Sequence, residues 1–127
     1  SQNLGENNPV YANTLQNLAK VYAWAKQLEE AERSLVQAND IWLQKLGTPI
    51  NSNSAEIARQ KGELSMLSGQ YEEAISHFRT SQKTYQKIFG ERHPATVRSA
   101  AHLGRAYWMA GQPTKSKKIT EEVLSTY

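Results

Sequence analysis

The chain contains no cysteine, which excludes disulfide frameworks, cysteine-ligated zinc ribbons and thiol catalysis together. No apolar run approaches the roughly 18 residues that a membrane span needs, and no signal-peptide pattern opens the sequence. A dense basic stripe is also missing. The net charge is +3 over 127 residues, and the segments 1–47, 48–89 and 90–127 carry −1, +1 and +3. That balance disfavours nucleic acid as a partner, although the last third and its aromatics leave RNA binding as a distant reading. Catalytic signatures are absent too, with neither a nucleophile elbow nor a glycine-rich phosphate loop. His77, His93 and His102 lack the one-turn spacing of a helical metal pair, so no metal or other cofactor is expected. What remains is 39% hydrophobic and 21% charged, ordinary values for one globular domain. The chain begins Ser-Gln rather than with Met, so it reads as a piece of a longer protein.

The sequence repeats itself. Residues 4–31, "LGENNPVYANTLQNLAKVYAWAKQLEEA", align with 89–116, "FGERHPATVRSAAHLGRAYWMAGQPTKS", at an offset of 85. Gly5 falls on Gly90, Pro9 on Pro94, Leu18 on Leu103 and Tyr22 on Tyr107. A third copy, "KGELSMLSGQYEEA" at 61–74, lies 43 residues after the first and 42 before the last. The spare residue belongs to the longer loop "GTPINSNS" at 47–54. Such periods are the sequence signature of stacked repeats. Three units are expected, about 4–46, 47–89 and 90–127, forming one domain.

Each unit reads as two helices. The first starts at a polar-proline pair, Asn8-Pro9 or His93-Pro94. Proline suits the first helical position and the polar residue before it can cap. In the middle unit Ser52, Asn53 or Ser54 can cap, with capping-box spacing from Asn53 to Glu56. Leu15, Leu18, Ala19 and Tyr22 mark one apolar face. Gly69 and Gly111 end their helices, whereas the first unit must turn near Lys26 without glycine. Second helices begin near Leu28, Tyr71 and Pro113, the first two with paired glutamates at the positive end of the helix dipole. Ala31 and Ala74 allow close approach, and Leu35 and Phe78 fill the space beside them. Trp42, on a second helix, is expected to pack between units.

These residues resemble the tetratricopeptide repeat. The first unit carries Leu18, Ala19, Tyr22, Ala31, Leu35 and Ala38 in the family's register, and the third carries Leu103, Gly104 and Tyr107. The usual unit is about 34 residues long, and the longer spacing here, with the "LGENNP" and "FGERHP" junctions, is similar to the kinesin light chain variety. The resemblance implies an all-α solenoid of six helices, a right-handed superhelix of three helix-turn-helix repeats, with extended second helices through Leu46 and Phe89. Two departures stand out. Lys61 and Ser65 replace an apolar and an aromatic residue in the middle unit. Ser116 and Thr120 make the last helix polar, as a terminal cap must be, although Ile119, Val123 and Tyr127 keep an apolar stripe.

The resemblance also implies a non-catalytic module that binds a peptide or helix of a partner protein on its concave face, and a cytoplasmic location. Register places Asn13, Gln16, Asn17, Lys20 and Trp24 on that face in the first unit. Glu56, Arg59, Gln60, Glu63 and Met66 follow in the second, and Arg98, Ala101, His102, Arg105 and Trp108 in the third. Amides suit a peptide backbone, arginines suit acidic groups, and tryptophans serve as interface anchors. The two-lysine, two-asparagine carboxylate clamp of chaperone-binding members is not matched. No small-molecule substrate and no membrane are expected. The alternative is a structural, regulatory or self-associating segment of a larger signalling protein. Glu29-Glu30 and Glu72-Glu73 recur with the repeat and read as dipole partners rather than acid–base dyads.

Overall fold

A computed structural model describes residues 8–126, which form six α-helices and, among these described residues, no strand. They are α1 (Pro9–Trp24), α2 (Leu28–Leu46), α3 (Ser52–Leu67), α4 (Tyr71–Phe89), α5 (Pro94–Met109) and α6 (Pro113–Thr126). Gly5 of the first junction and Tyr127 of the last apolar stripe lie outside the described residues. Each helix packs chiefly against its neighbours in the chain, the quasi-one-dimensional arrangement of a solenoid. The second helices run through Leu46 and Phe89, as the sequence spacing requires.

The helix starts follow from local hydrogen bonding. Asn8 Oδ1 accepts from the Val10 amide at 2.7 Å ahead of Pro9. His93 Nδ1 does the same for the Ala95 amide at 3.1 Å ahead of Pro94. The cap of α3 is Asn51, not Ser52, Asn53 or Ser54. Its backbone is extended (φ −147°), and its Oδ1 accepts from the Ser54 amide at 2.8 Å. Its Nδ2 donates to the Thr48 carbonyl at 2.7 Å, so the preceding loop fixes the cap in place. Glu56 consequently makes no capping box and turns to Arg59 instead.

All three first helices end in one turn geometry. Lys26, Gly69 and Gly111 occupy the same register with φ of 66°, 78° and 79°. The following amides of Gln27, Gln70 and Gln112 each donate back five residues, to the carbonyls of Tyr22, Ser65 and Tyr107. This pattern satisfies helix-end carbonyls. Only the first unit forces a residue with a Cβ into the left-handed region, at a cost of about 1–2 kcal/mol.

The core forms two clusters joined by α3. Ala12, Leu15, Ala19, Ala31, Leu35 and Trp42 pack with Ile57 in one, with Leu64 against it. Ala74, Ile75, Phe78, Leu103, Ala106 and Tyr107 form the other, with Met66 and Ile119 against it. Ala31, Ala74, Leu35 and Phe78 are wholly buried, as their register requires. Gly62 is there because of Phe78. A Cβ on Gly62 would stand 2.6 Å from the Phe78 ring. The corresponding residue of the first unit is Ala19, which faces the smaller Leu35 in the same cluster. Trp42 is buried between units and its Nε1 donates to Gln16 Oε1 at 3.0 Å. Ser116, in a register where alanine is usual, donates its hydroxyl proton to the Gly104 carbonyl at 2.8 Å.

Leu18 departs from the expected apolar face. It is 37% exposed, whereas its counterpart Leu103 is 2% exposed. The difference lies in what precedes each helix. α5 is covered by α4 on that side, and among the described residues nothing stands in front of α1.

Candidate functional site

An apolar pocket of about 670 Å³ lies between α1 and α3, with Leu35 of α2 reaching it from behind. Ala19, Ala23, Leu64 and Leu67 line it, and Trp24, 88% exposed, stands at its edge. Lys20, Lys26, Arg59, Gln60 and Glu63 supply the polar part of its wall. The space exists because of side-chain volume. One unit later, Met66 stands in the register of Ala23 and Phe78 in that of Leu35. Phe78 is wholly buried there, and the His102 ring stacks on it with centroids 5.3 Å apart. Larger side chains fill at the second junction what smaller ones leave open at the first.

Charged side chains link the first helices. Arg59 binds Glu56 through Nε at 3.1 Å and through Nη2. Its Nη1 reaches Glu63 at 2.9 Å, and Glu63 meets Arg105 of α5 at 3.5 Å. Burial alone would raise the Glu56 carboxyl, but hydrogen bonding and charge from Arg59, with Tyr85 and Lys20, hold it below the ordinary value. Arg59 is stabilised as a cation chiefly by its hydrogen bond to Glu56. Tyr85 donates to Glu56 at 3.3 Å, and burial with the Glu56 charge pushes its phenol up to about 12. Lys20 and Arg98 are exposed and form no ion pair among the described residues. With Lys20, Arg59, Arg98 and Arg105 outnumbering Glu56 and Glu63, this face of α1, α3 and α5 is net positive.

The residues expected at the binding face divide into three groups. Lys20, Trp24, Arg59, Gln60 and Glu63 come together around the pocket. Asn13, Asn17, Arg98, Arg105 and Trp108 are exposed, Trp108 at 64%. Asn13 and Asn17 make no side-chain hydrogen bond among the described residues and so have amides to offer. Ala101 is exposed as well, and the others are partly or wholly buried. Gln16 is buried, takes the Trp42 proton and donates to Gln60 Oε1 at 3.3 Å, so it links units instead of facing out. Met66 packs against the second core cluster, because Phe78 and Tyr107 lie beneath it. His102 is half-buried on Phe78, and burial lowers its pKa despite the attraction of Glu63. Glu56 is half-buried and held by Arg59, whose side chain is the more buried of the two. The apolar wall of Ala19, Ala23, Leu35, Leu64 and Leu67 escaped the sequence reading. The signal was the pairing of small residues at 23 and 35 against large ones at 66 and 78.

Among the described residues, no group of His, Asp and Glu could hold a metal ion, and no helix is long and apolar enough to cross a membrane. The tetratricopeptide repeat family is matched twice, over residues 53–127 and again over 12–53. The chain belongs to the tetratricopeptide repeat family. Such repeats generally mediate protein–protein interaction, and the fold is typically non-catalytic. No curated protein matches the chain in sequence.

Solved structures agree on the fold. The nearly identical TPR-like repeats of a kinesin light chain candidate from Podosopora anserina superpose with a TM-score of 0.78 at 22% identity. BtubC (BKLC) from P. vanneervenii gives a TM-score of 0.83 at 18% identity. These matches cover 95% and 94% of this chain but only 57% and 47% of those chains. The TPR domain of Arabidopsis FLU, at 16% identity, gives a TM-score of 0.75 and is covered over 92% of its own length. At these identities the likeness shows a shared helical-repeat fold.

Proposed function

We propose that the face formed by α1, α3 and α5 binds a segment of a partner protein, as an extended peptide or a helix. A large apolar side chain of that segment enters the pocket beside Trp24, and its acidic groups meet Lys20, Arg98 and Arg105. The observation that carries this reading is the pocket itself, an apolar cleft of about 670 Å³ whose rim is charged and whose floor is not. Ligand sites are concave and mostly apolar with a few placed polar groups. Charge on the rim steers an acidic partner and sets its register more than it adds affinity. Exposed Asn13 and Asn17 extend the face with donors and acceptors for a peptide backbone.

The test uses fluorescein-labelled peptides with one large apolar residue flanked by Asp or Glu, followed by anisotropy. The triple variant Asn17→Ala, Arg98→Ala, Arg105→Ala should lose binding while its thermal midpoint stays where it was. Unchanged binding would remove the assignment of this face.

A second reading is favoured by one observation on α1. Val10, Leu18 and Val21 are 70%, 37% and 62% exposed, while the counterparts of the last two, Leu103 and Ala106, are 2% and 0% exposed beneath α4. That stripe suits packing against another part of a larger protein or against a second copy. Sedimentation equilibrium over a concentration series separates the two readings, since self-association raises the mass with concentration. A constant monomer mass removes the second copy as the partner of this stripe.

A further inference from the structure

The middle unit has lost an aromatic ring, and a space remains at its place. Tyr22 and Tyr107 share the register of Ser65. Tyr107 fills its site in the third unit, where it is 9% exposed and its hydroxyl accepts a proton from Arg79 at 2.6 Å. Ser65 instead borders a cavity of about 260 Å³ between α3 and the starts of α2 and α4. Ser65 is 6% exposed, and its hydroxyl has no hydrogen-bond partner among the described residues. Its carbonyl is engaged by Ser68 Oγ at 3.1 Å and the Gln70 amide at 2.8 Å. A buried hydroxyl left without a partner is unusual and asks what satisfies it.

The cavity wall answers in chemical terms. Glu29 and Glu32 approach from α2 and Glu73 from α4, and none of the three is in a salt bridge among the described residues. Against them stands one lysine, Lys61 of α3. His77 of α4 completes the titratable groups, and burial with the Lys61 charge lowers its pKa against the opposing pull of Glu73 and Glu32. Leu28 and Leu64 give the wall an apolar strip.

We propose that this cavity is a second ligand site, distinct from the groove, which takes one organic cation, an amine or guanidinium on a short apolar stem. The carboxylates hold the charged head, the Ser65 hydroxyl accepts a hydrogen bond from one of its N–H groups, and Leu28 and Leu64 cover the stem. The cation fills the volume that a tyrosine ring occupies in the third unit. Apart from Leu64, which borders both spaces, the two sites share no lining residue, so either can fail without the other.

The experiment titrates the chain with agmatine, with an acetylated and amidated arginine tripeptide, and with acetyl-glutamate amide as the anionic control. Backbone amide shifts of Ser65, Ser68 and Gln70 and the imidazole shifts of His77 report binding. Both cations should move these signals saturably, with an affinity that falls as salt is added, and the anion should not. Binding of the tripeptide in preference to agmatine identifies a protein side chain as the source, and the reverse identifies a free amine. Ser65→Tyr restores the residue found in the other two units and should weaken binding by at least about tenfold, with the fold intact. The pair Glu32→Gln, Glu73→Gln should weaken it comparably without filling the space. The proposal is overturned if neither cation binds, if Ser65→Tyr binds as well as the parent, or if the anion binds equally. The first outcome would mean a water-filled space only, the second a cation site elsewhere on the chain, and the third binding without charge selection.

Discussion

The junction between the first two helix pairs and the junction between the last two share one register and differ in what fills it. At the second, Phe78, His102 and Met66 close the space, and Gly62 gives up its side chain to admit the Phe78 ring. At the first, Leu35 and Ala23 hold the same positions, Gln60 replaces the histidine, and an apolar pocket opens. The compensating links differ as well. The first junction is tied by the buried amide relay from Trp42 through Gln16 to Gln60. The second is tied by the hydroxyl pair of Ser81 and Ser99 at 3.1 Å and by the Phe89–His93 stack at 4.2 Å. One register therefore accommodates a junction filled by large side chains and another whose smaller side chains leave an apolar pocket.

Breaking the packed junction should have the largest effect. Phe78→Ala removes a wholly buried ring and should cost about 3–5 kcal/mol of unfolding free energy, read as a lower urea midpoint with unchanged slope. Gly62→Ala places a methyl group into the Phe78 ring and should cost about 1–3 kcal/mol. In a Phe78→Leu background, which copies the first junction, that penalty should largely vanish. A double-mutant cycle measures this directly, and additive effects would show that ring size does not set the glycine.

Closing the open junction is the converse and should change stability less. The set Ala19→Gly, Ala23→Met, Leu35→Phe transplants the second junction's side chains into the first. It should abolish peptide capture by the pocket while shifting stability by no more than about 1.5 kcal/mol, checked by anisotropy and by thermal melting of one sample.

The smallest effect is a pH dependence. His77 and His102 both have pKa values lowered by burial from an ordinary 6.5. The unfolded chain then binds protons that the folded one refuses. Stability is full above pH 6.5 and declines as pH falls from there through the lowered folded values. His102→Gln, which places the first junction's residue in the second, should flatten part of that slope in urea midpoints taken between neutral and mildly acidic pH.

The sequence announced the repeat because spacing survives substitution: polar-proline starts, glycine ends and the Ala-bulky pairs recur at fixed offsets. The α3 cap was not legible in the same way. Four consecutive residues, Asn51 to Ser54, can all cap, and the choice depends on Thr48 reaching Asn51 from the loop. Lys20, Arg59 and Glu63 were legible because register fixes which side of a helix a residue occupies. Gln16 and Met66 were not, since that side is partly interior and only the volumes beneath decide which residues sink. The pocket floor needed pairs of residues from different helices to be compared between units. Ser65 was visible as a departure, but the carboxylates around it arrive from two other helices.

Lys26 has a consequence for local opening. It alone holds a side chain in the left-handed turn that glycine occupies in the other two units. The last turn of α1 is therefore the helix end most ready to let its amides exchange with solvent, since native proteins open first where local order is held least. Trp24 rides on that turn. The aromatic edge of the pocket therefore sits beside the turn whose amides are expected to exchange ahead of those at Gly69 and Gly111.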